Sequence, residues 1–257
     1  MAPDVVADSL SQWFTSPLGA YLLDAERRHI DQEVADVFGF HGIQLGLPDI
    51  DFLRANRIPY RFRVAPGEGG ELRGAAENLP VLSQSVDLVL MPHVLEFSPD
   101  PHAVLREVSR VLMPDGHVII TGFNPWSLWG LRQVFRPRNA PFPWCGDFIT
   151  LPRVKDWCKL LGIELTAGRM RCYLPPAATP EWLDRLRFLD AAGDRWWPFA
   201  GGVYILHGIK RVHGMRLITP KWRGAGVKRK ALAVVPRQAG THSVVERGGN
   251  DGQVPRP

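Results

Sequence analysis

The chain has 257 residues, of which 45% are hydrophobic and 22% are charged, as in an ordinary folded protein of one large or two small domains. No stretch approaches the roughly 20 apolar residues of a membrane-spanning helix, and the N-terminus lacks the pattern of a signal peptide, so we expect a cytoplasmic protein. Cys145, Cys158 and Cys172 are too widely spaced for a Cys-x-x-Cys zinc or redox motif.

The net charge of +5 is concentrated at the C-terminus. Residues 221–257 carry eight Lys and Arg against two acids, so the remaining 220 residues have a net charge of −1. The Gly-rich composition predicts a basic disordered tail over 223–257, following a domain over 1–222. Only this tail has the charge to meet nucleic acid or an anionic membrane, and its mixed composition favours a solvated extension.

The N-terminal quarter predicts one helix and two short strands. Apolar residues recur at helical spacing over 10–37, and Gly39 suits the helix exit. Short apolar runs at 42–46 and 60–64 predict strands. The run Pro-Gly-Glu-Gly-Gly at 66–70 predicts a turn, because no Gly-Lys-Ser/Thr phosphate-loop pattern follows it.

The centre of the chain carries the clearest pattern. Residues 86–91 are almost continuously apolar, as a strand buried on both faces is. Asp100 and Pro101 predict a helix N-terminus, and apolar residues within 104–112 recur at helical spacing. After a Pro-Asp-Gly break, an apolar run at 118–121 predicts the next strand. Strand, helix and strand within about 36 residues predict a parallel βαβ unit.

The rest of the chain is rich in aromatic residues, and eight of the nine tryptophans lie beyond this unit. Residues 154–162 predict a helix, and 163–165 and 202–209 predict strands. Between them, 174–200 is an insertion with its own helix near 181–189. The aromatic rings fit either a cover over a substrate or the core beneath the second half of the sheet, and the core accounts for most of them.

Three runs of the chain resemble the class I S-adenosylmethionine-dependent methyltransferases: Gly-Ala-Ala-Glu-Asn-Leu-Pro at 74–80, Ser-Val-Asp-Leu-Val-Leu at 85–90, and Leu-Arg-Glu-Val-Ser-Arg-Val-Leu-Met-Pro-Asp-Gly at 105–116. The nearest likeness is to the ubiquinone/menaquinone-methyltransferase-like branch. The run Phe-Asn-Pro-Trp-Ser-Leu-Trp-Gly at 123–130 is similar to an uncharacterised bacterial subgroup of these proteins. The core of the resemblance covers residues 10–132.

The resemblance implies an α/β fold: a doubly wound, mostly parallel, Rossmann-like sheet of seven strands with helices on both faces. The implied strand order is 3-2-1-4-5-7-6 with the seventh strand antiparallel, and S-adenosylmethionine lies over the carboxyl ends of strands 1, 2 and 4. The cofactor-binding residues that it implies are Gly46, Leu47, Ala75, Ala76, Glu77, Met91, Pro92 and His93.

The cofactor motif is degenerate in this chain. The family has Glu-x-Gly-x-Gly-x-Gly where residues 44–50 read Gln-Leu-Gly-Leu-Pro-Asp-Ile, so only Gly46 is kept. Ala65 stands where the family has an acid that binds the ribose hydroxyls, and Ala75 stands where it has an aspartate for the adenine. The chain between strands 2 and 3 is also too short for the usual helix.

Methyl transfer from a sulfonium is an in-line displacement, so a methyltransferase mainly aligns the acceptor and in some cases removes a proton. His93 and Glu96 follow strand 4, and Asn124 and Trp126 follow strand 5, where they could do this. His93 could act as a base or hydrogen-bond the carboxylate of the cofactor, and a loop histidine bonded to backbone fits equally well. Glu96 could equally cap its loop, pair with Arg132 or act on substrate. Asn124 precedes Pro125, so shaping a turn is the alternative to a catalytic role for it. No residue spacing indicates a metal site, and no Gly-x-Ser-x-Gly motif indicates a hydrolase.

Two functions therefore remain open at this stage. One is an S-adenosylmethionine-dependent methyltransferase for an unidentified small-molecule acceptor. The other is a catalytically silent methyltransferase-like protein that binds a ligand or partner in the same cleft.

Overall fold

A seven-stranded sheet lies at the centre of the protein, with the order β3-β2-β1-β4-β5-β7-β6. The structure is a computed structural model and describes residues 3–67, 69–135, 140, 142–176, 185–186 and 188–212. The strands are β1 (His41–Leu45), β2 (Tyr60–Ala65), β3 (Leu72–Arg73), β4 (Val86–Pro92), β5 (Leu112–Phe123), β6 (Ile163–Arg171) and β7 (Val203–Lys210). Strands β1 to β5 pair in parallel, and β7 is antiparallel to both β5 and β6. The predicted fold and strand order are confirmed.

Helices cover both faces of the sheet. Those in the described residues are α1 (Pro3–Phe14), α2 (Pro17–Ala35), α3 (Pro101–Val111), α4 (Leu128–Val134), α5 (Leu151–Leu160) and α6 (Phe188–Trp196). Leu88 and Leu90 of β4 belong to the core cluster under α1 and α2, while Val89 and Met91 belong to the cluster under α3 and α5. Successive strand residues point to opposite faces, so a strand covered on both sides has to be apolar throughout.

The predicted βαβ unit is present as β4, α3 and β5. Asp100 caps α3, because its Oδ1 accepts a hydrogen bond from the amide of Ala103 at 3.0 Å. The Pro-Asp-Gly run was predicted to break the helix before the strand, but α3 already ends at Val111 and the run lies inside β5. There it interrupts the pairing register with β4: Val86 pairs with Leu112, and Leu88 pairs with His117. The unit thus places the ends of β4 and β5 side by side.

The prediction of one helix over 10–37 is wrong in its continuity. The chain breaks after α1, and Ser16 starts α2 by accepting a hydrogen bond from the amide of Gly19 at 3.1 Å. Pro17 lacks an amide proton and fits only the first turn of a helix, so α1 cannot run on through it. A side chain on Gly19 would lie 2.3 Å from the carbonyl oxygen of Trp13, so the two helices meet too closely for any other residue.

In the second half, α5, β6 and β7 confirm the predicted helix and strands. Most of the helix predicted near 181–189 lies outside the described residues, and α6 runs from Phe188 to Trp196. The predicted tail over 223–257 also lies outside them. Within the described part of the chain, no helix is long and apolar enough to cross a membrane.

Candidate cofactor cleft

A cleft of about 660 Å³ opens at the carboxyl ends of β1 and β4. The predicted cofactor-binding residues that line it are Gly46, Leu47, Ala75, Ala76, Glu77, Pro92 and His93. Met91 is placed differently: its side chain is fully buried in the core on the α3 face. The structure thus gathers predicted residues from three separate segments of the sequence around one cavity.

The loop after β1 has an unusual backbone. Gly46 has a φ of +74° and Leu47 a φ of +47°, so two consecutive residues are left-handed. This conformation is uncommon for a residue with a side chain. A Cβ on Gly46 would lie 3.5 Å from Val94 Cγ2, which is an ordinary contact. The backbone angle, rather than a lack of space, therefore requires glycine at this position.

One buried side chain, that of Gln44, fixes this loop. Its Nε2 donates to the carbonyl oxygens of Gly46 at 3.2 Å, Leu47 at 3.0 Å and Ile50 at 2.8 Å. Its Oε1 accepts from the amide of Phe52 at 3.0 Å. A glutamate, which the family resemblance implies here, could not donate to these carbonyls. The loop conformation of this chain is therefore matched to an amide at position 44.

Arg63 of β2 ties the loop after β1 to the segment just before β3. Its Nη1 donates to the carbonyl oxygen of Pro48 at 2.6 Å, and its guanidinium pairs with Glu71 just before β3. The hydrogen bonds from Arg63 lower the pKa of Glu71 to about 2. Ala65, where the family has its ribose-binding acid, is buried at the end of the same strand. The loop after β1 is thus held through an ion pair of its partner Arg63, and position 65 offers no acid to a ligand.

A histidine between two glutamates lies under the cleft. His93 Nε2 is 2.8 Å from Glu26 Oε1, and His93 Nδ1 is 3.2 Å from Glu96 Oε1, with all three side chains fully buried. The amide of Phe123 also donates to Glu96 Oε1 at 2.7 Å. His93 has a φ of +52°, and its ring stacks on that of Phe123. We call these three side chains the buried triad.

The buried triad is charged. Burial opposes the imidazolium, but the Glu26 carboxylate and then the Glu96 carboxylate outweigh burial and raise the pKa of His93 to about 10. Both ring nitrogens are therefore protonated at neutral pH and directed at carboxylates. In this arrangement His93 has no free nitrogen for a substrate proton, and its contacts connect α2, the end of β4 and the end of β5.

The remaining candidates form structural contacts. Glu96 pairs with His93 and not with Arg132, which donates instead to the carbonyl oxygen of Pro176 at 2.7 Å. Asn124 Nδ2 donates to the carbonyls of Phe199 and Gly201, both at 2.9 Å. Asn124 thus shapes the turn after β5 and does not line the cleft.

Trp126 also lies outside the cleft. Its amide donates to Asn124 Oδ1 at 3.0 Å, and its ring is exposed to solvent. The ring therefore belongs to the outer surface next to the turn after β5.

Other reactive groups are scarce among the described residues. Burial raises the pKa of Cys158 to about 12, and the pKa of the Cys172 thiol is raised as well, so both thiols stay protonated. No group of three or more His, Cys, Asp or Glu side chains in this part of the chain could hold a metal ion.

Sequence reasoning missed Gln44, Glu26 and Arg63. Glu26 could have been found, because it interrupts the buried stripe of α2 in which Leu22 and Ile30 lie four residues to either side. A carboxylate on a buried stripe requires a partner elsewhere in the chain. For Arg63 the sequence contains no such sign, since its partners come from two loops.

The comparisons with known proteins agree with this geometry. The sequence model of the family described as "Methyltransferase domain" matches residues 60–120, which run from β2 into β5. The uncharacterized protein YafS of Escherichia coli is 32% identical over 155 residues, or 60% of this chain and 65% of YafS. The malonyl-[acyl-carrier protein] O-methyltransferase of Xylella fastidiosa is 32% identical over 91 residues, or 32% of this chain and 31% of that enzyme. The chain thus spans less than two thirds of the length of each of these relatives.

Among solved structures, an S-adenosylmethionine-dependent methyltransferase from Thermotoga maritima is similar with a TM-score of 0.58. The two share 18% sequence identity, and the match covers 78% of this chain and 94% of the other. The stretch that matches the methyltransferase-domain model, residues 60–120, thus lies within a sheet of the same fold as that solved structure.

Proposed function

We propose that the protein is an S-adenosylmethionine-dependent methyltransferase for a small-molecule acceptor. The observation that carries the proposal is the cleft at the carboxyl ends of β1 and β4, which Gly46, Ala75 and Pro92 line from three different strand ends. In open α/β sheets, ligands bind at this edge. The methyltransferase-domain match over 60–120 covers two of the three segments.

The residues present suit the cofactor in part. The left-handed backbone at Gly46 allows a ligand to approach β1 closely, and Leu47 and Val64 offer apolar walls. Glu77 is the carboxylate in the lining that is partly open to solvent, and it accepts a hydrogen bond from Ser98. The polar contacts at 65 and 75 are absent, so we expect binding through backbone and apolar contacts, weaker than in relatives that have those acids.

The cofactor, when bound, supplies an electrophilic methyl group. The chain's own task is to hold an acceptor in line with that group and to keep water out. We assign the buried triad to this task as a positioning device, because it sets the left-handed turn at His93 that shapes the floor of the cleft. A catalytic role for His93, Glu96 and Asn124 remains a prediction.

A silent ligand-binding protein is the second candidate. The observation that favours it is that the polar groups around the cleft are already engaged with one another, as in the Glu77–Ser98 and His93–Glu26 contacts. Binding of S-adenosylmethionine with no transfer to any acceptor, or no binding at all, would support this candidate.

Substitution Ala75→Asp tests the proposal. If the adenine lies at position 75, a restored carboxylate should tighten binding of S-adenosylhomocysteine by about 1.5–3 kcal/mol, or roughly one to two decades in Kd by isothermal titration calorimetry. Ala75→Leu is the matched control, since it adds similar bulk without an oxygen and should weaken binding. Equal effects of both substitutions on the Kd would show that the adenine does not bind at position 75.

The finer predictions stay predictions. They are the ubiquinone/menaquinone-like branch, the cytoplasmic location and the boundary between a domain over 1–222 and a basic tail.

A further inference from the structure

The charged groups that face the cleft are mostly negative. Two of the side chains that line it are ionisable, Glu77 and His93, and neither a lysine nor an arginine is among the described residues of the lining. The positive charge of His93 lies between the carboxylates of Glu26 and Glu96. The second oxygens of both carboxylates have no hydrogen-bond partner among the described residues. The buried triad therefore leaves an excess of negative charge under the cleft.

Glu77 adds a further negative charge in the wall of the cleft. Its side chain is partly open to solvent and accepts a hydrogen bond from the Ser98 hydroxyl, and no basic side chain in the described part of the chain pairs with it.

Two arginines contact the loops around the cleft without cancelling this charge. Arg63 is already held in its ion pair with Glu71. Arg73 donates to the carbonyl oxygen of Pro66 at 3.1 Å and is exposed, so water screens its charge. The negative charge of Glu77 and the buried triad therefore acts on whatever occupies the cleft.

We propose that this negative charge makes the cleft selective for a positively charged ligand, so that it binds S-adenosylmethionine more tightly than S-adenosylhomocysteine, whose sulfur is uncharged. This inference rests on the proposed function, since it concerns the same cleft. The two molecules differ by one methyl group and by the positive charge of the sulfonium. A buried charge attracts an opposite charge strongly, because little water lies between them to screen it. Since the sulfur loses its charge on methyl transfer, the product leaves the cleft more easily than the cofactor does.

Isothermal titration calorimetry of the full chain with three probes tests this proposal. The probes are S-adenosylmethionine, S-adenosylhomocysteine and sinefungin, in which a carbon bearing an amine, positively charged at neutral pH, replaces the sulfonium. We expect both cationic probes to bind roughly tenfold more tightly than S-adenosylhomocysteine, which corresponds to a charge attraction of about 1.4 kcal/mol.

Substitutions in the chain identify the source of the preference. Glu77→Gln keeps the size of the side chain and removes its charge, so the preference should fall to about threefold or less. Glu26→Gln should lower it as well, because one carboxylate then remains beside His93. Where Glu26→Gln loses the circular dichroism of the parent, Glu77→Gln at its partly exposed position still reports the effect of charge. Asp156→Asn is the matched control, because Asp156 is exposed on α5 and does not line the cleft, so the preference should stay that of the parent.

Three outcomes would overturn the inference and leave the proposed function intact. S-adenosylhomocysteine that binds as tightly as both cationic probes, or more tightly, would show that charge does not select the ligand. Tighter binding of S-adenosylmethionine but not of sinefungin would assign the preference to the methyl group. A preference that Glu77→Gln and Asp156→Asn change equally would place its origin outside the cleft. Absence of binding of all three probes would instead count against the proposed function, and against this inference with it.

Discussion

At the scale of single residues, the buried triad shows how charge is used inside this protein. A buried ion pair contributes little net stability compared with apolar packing, but removing one partner leaves an uncompensated charge. His93 lies between two carboxylates, and the second oxygens of Glu26 and Glu96 have no hydrogen-bond partner among the described residues. The triad is therefore sensitive to loss of its central cation.

Replacing His93 with Ala should destabilise the fold. The two carboxylates would face each other in a buried site, so the free energy of unfolding should fall by about 3–5 kcal/mol. Denaturant unfolding followed by circular dichroism measures it. His102→Ala is the control, since His102 is exposed on α3 with its ring against that of Trp157, so its loss should cost only about 0.5–1.5 kcal/mol. A small effect of His93→Ala, with lower turnover, would identify a catalytic histidine instead.

The same residue should make stability depend on alkaline pH. The pKa of His93 is raised by the two carboxylates, against burial, to about 10 from 6.5. Because the folded pKa is the higher one, the stabilisation is complete below about pH 6.5 and is lost as the pH rises through about 10. As the pH is raised from about 6.5 to about 10, the denaturant midpoint of unfolding should fall in the parent and fall less in His93→Gln. Parallel curves for the two proteins would contradict the charged triad.

At the scale of elements, the conformation of the loop after β1 depends on the hydrogen bonds that the side-chain amide of Gln44 donates. Gln44→Glu places a buried carboxylate against three carbonyl oxygens, so we expect a loss of more than about 2 kcal/mol in unfolding free energy. Gln84→Glu is the control, because Gln84 is exposed and should tolerate the change. Equal stability of the two variants would show that the loop does not need the amide.

The elements also show what a sequence can predict. Strand β4 was predictable from its almost continuous apolar run. Helix α3 was predictable because its apolar residues recur at helical spacing and Asp100 with Pro101 marks the helix start. Pro17 marks the break between α1 and α2 in the sequence. The apolar residues keep helical spacing on both sides of Pro17, so the spacing alone predicts one continuous helix. The close approach at Gly19 depends on how the two helices pack, which spacing does not reveal.

At the scale of the whole molecule, the strand order followed from a resemblance and not from periodicity. Short strands such as β3, with two residues, carry no pattern of their own. The cleft residues were predictable because the resemblance implies a cofactor over the carboxyl ends of strands 1, 2 and 4. The contacts that hold them, such as Arg63 with Pro48 and Glu26 with His93, join residues 15 and 67 positions apart, and no local pattern encodes such pairs.

The central claim, that S-adenosylmethionine lies over β1 at Gly46, is tested most directly by calorimetric titration of the full chain with S-adenosylmethionine. We expect saturable binding to the parent that Gly46→Val abolishes, since the substitution strains the left-handed backbone and places a side chain in the cleft. Gly162→Val is the matched control: Gly162 has a φ of +73° and does not line the cleft, so the variant carries similar strain and should still bind. Absence of binding in the parent, or tight binding that Gly46→Val leaves unchanged, would contradict the claim.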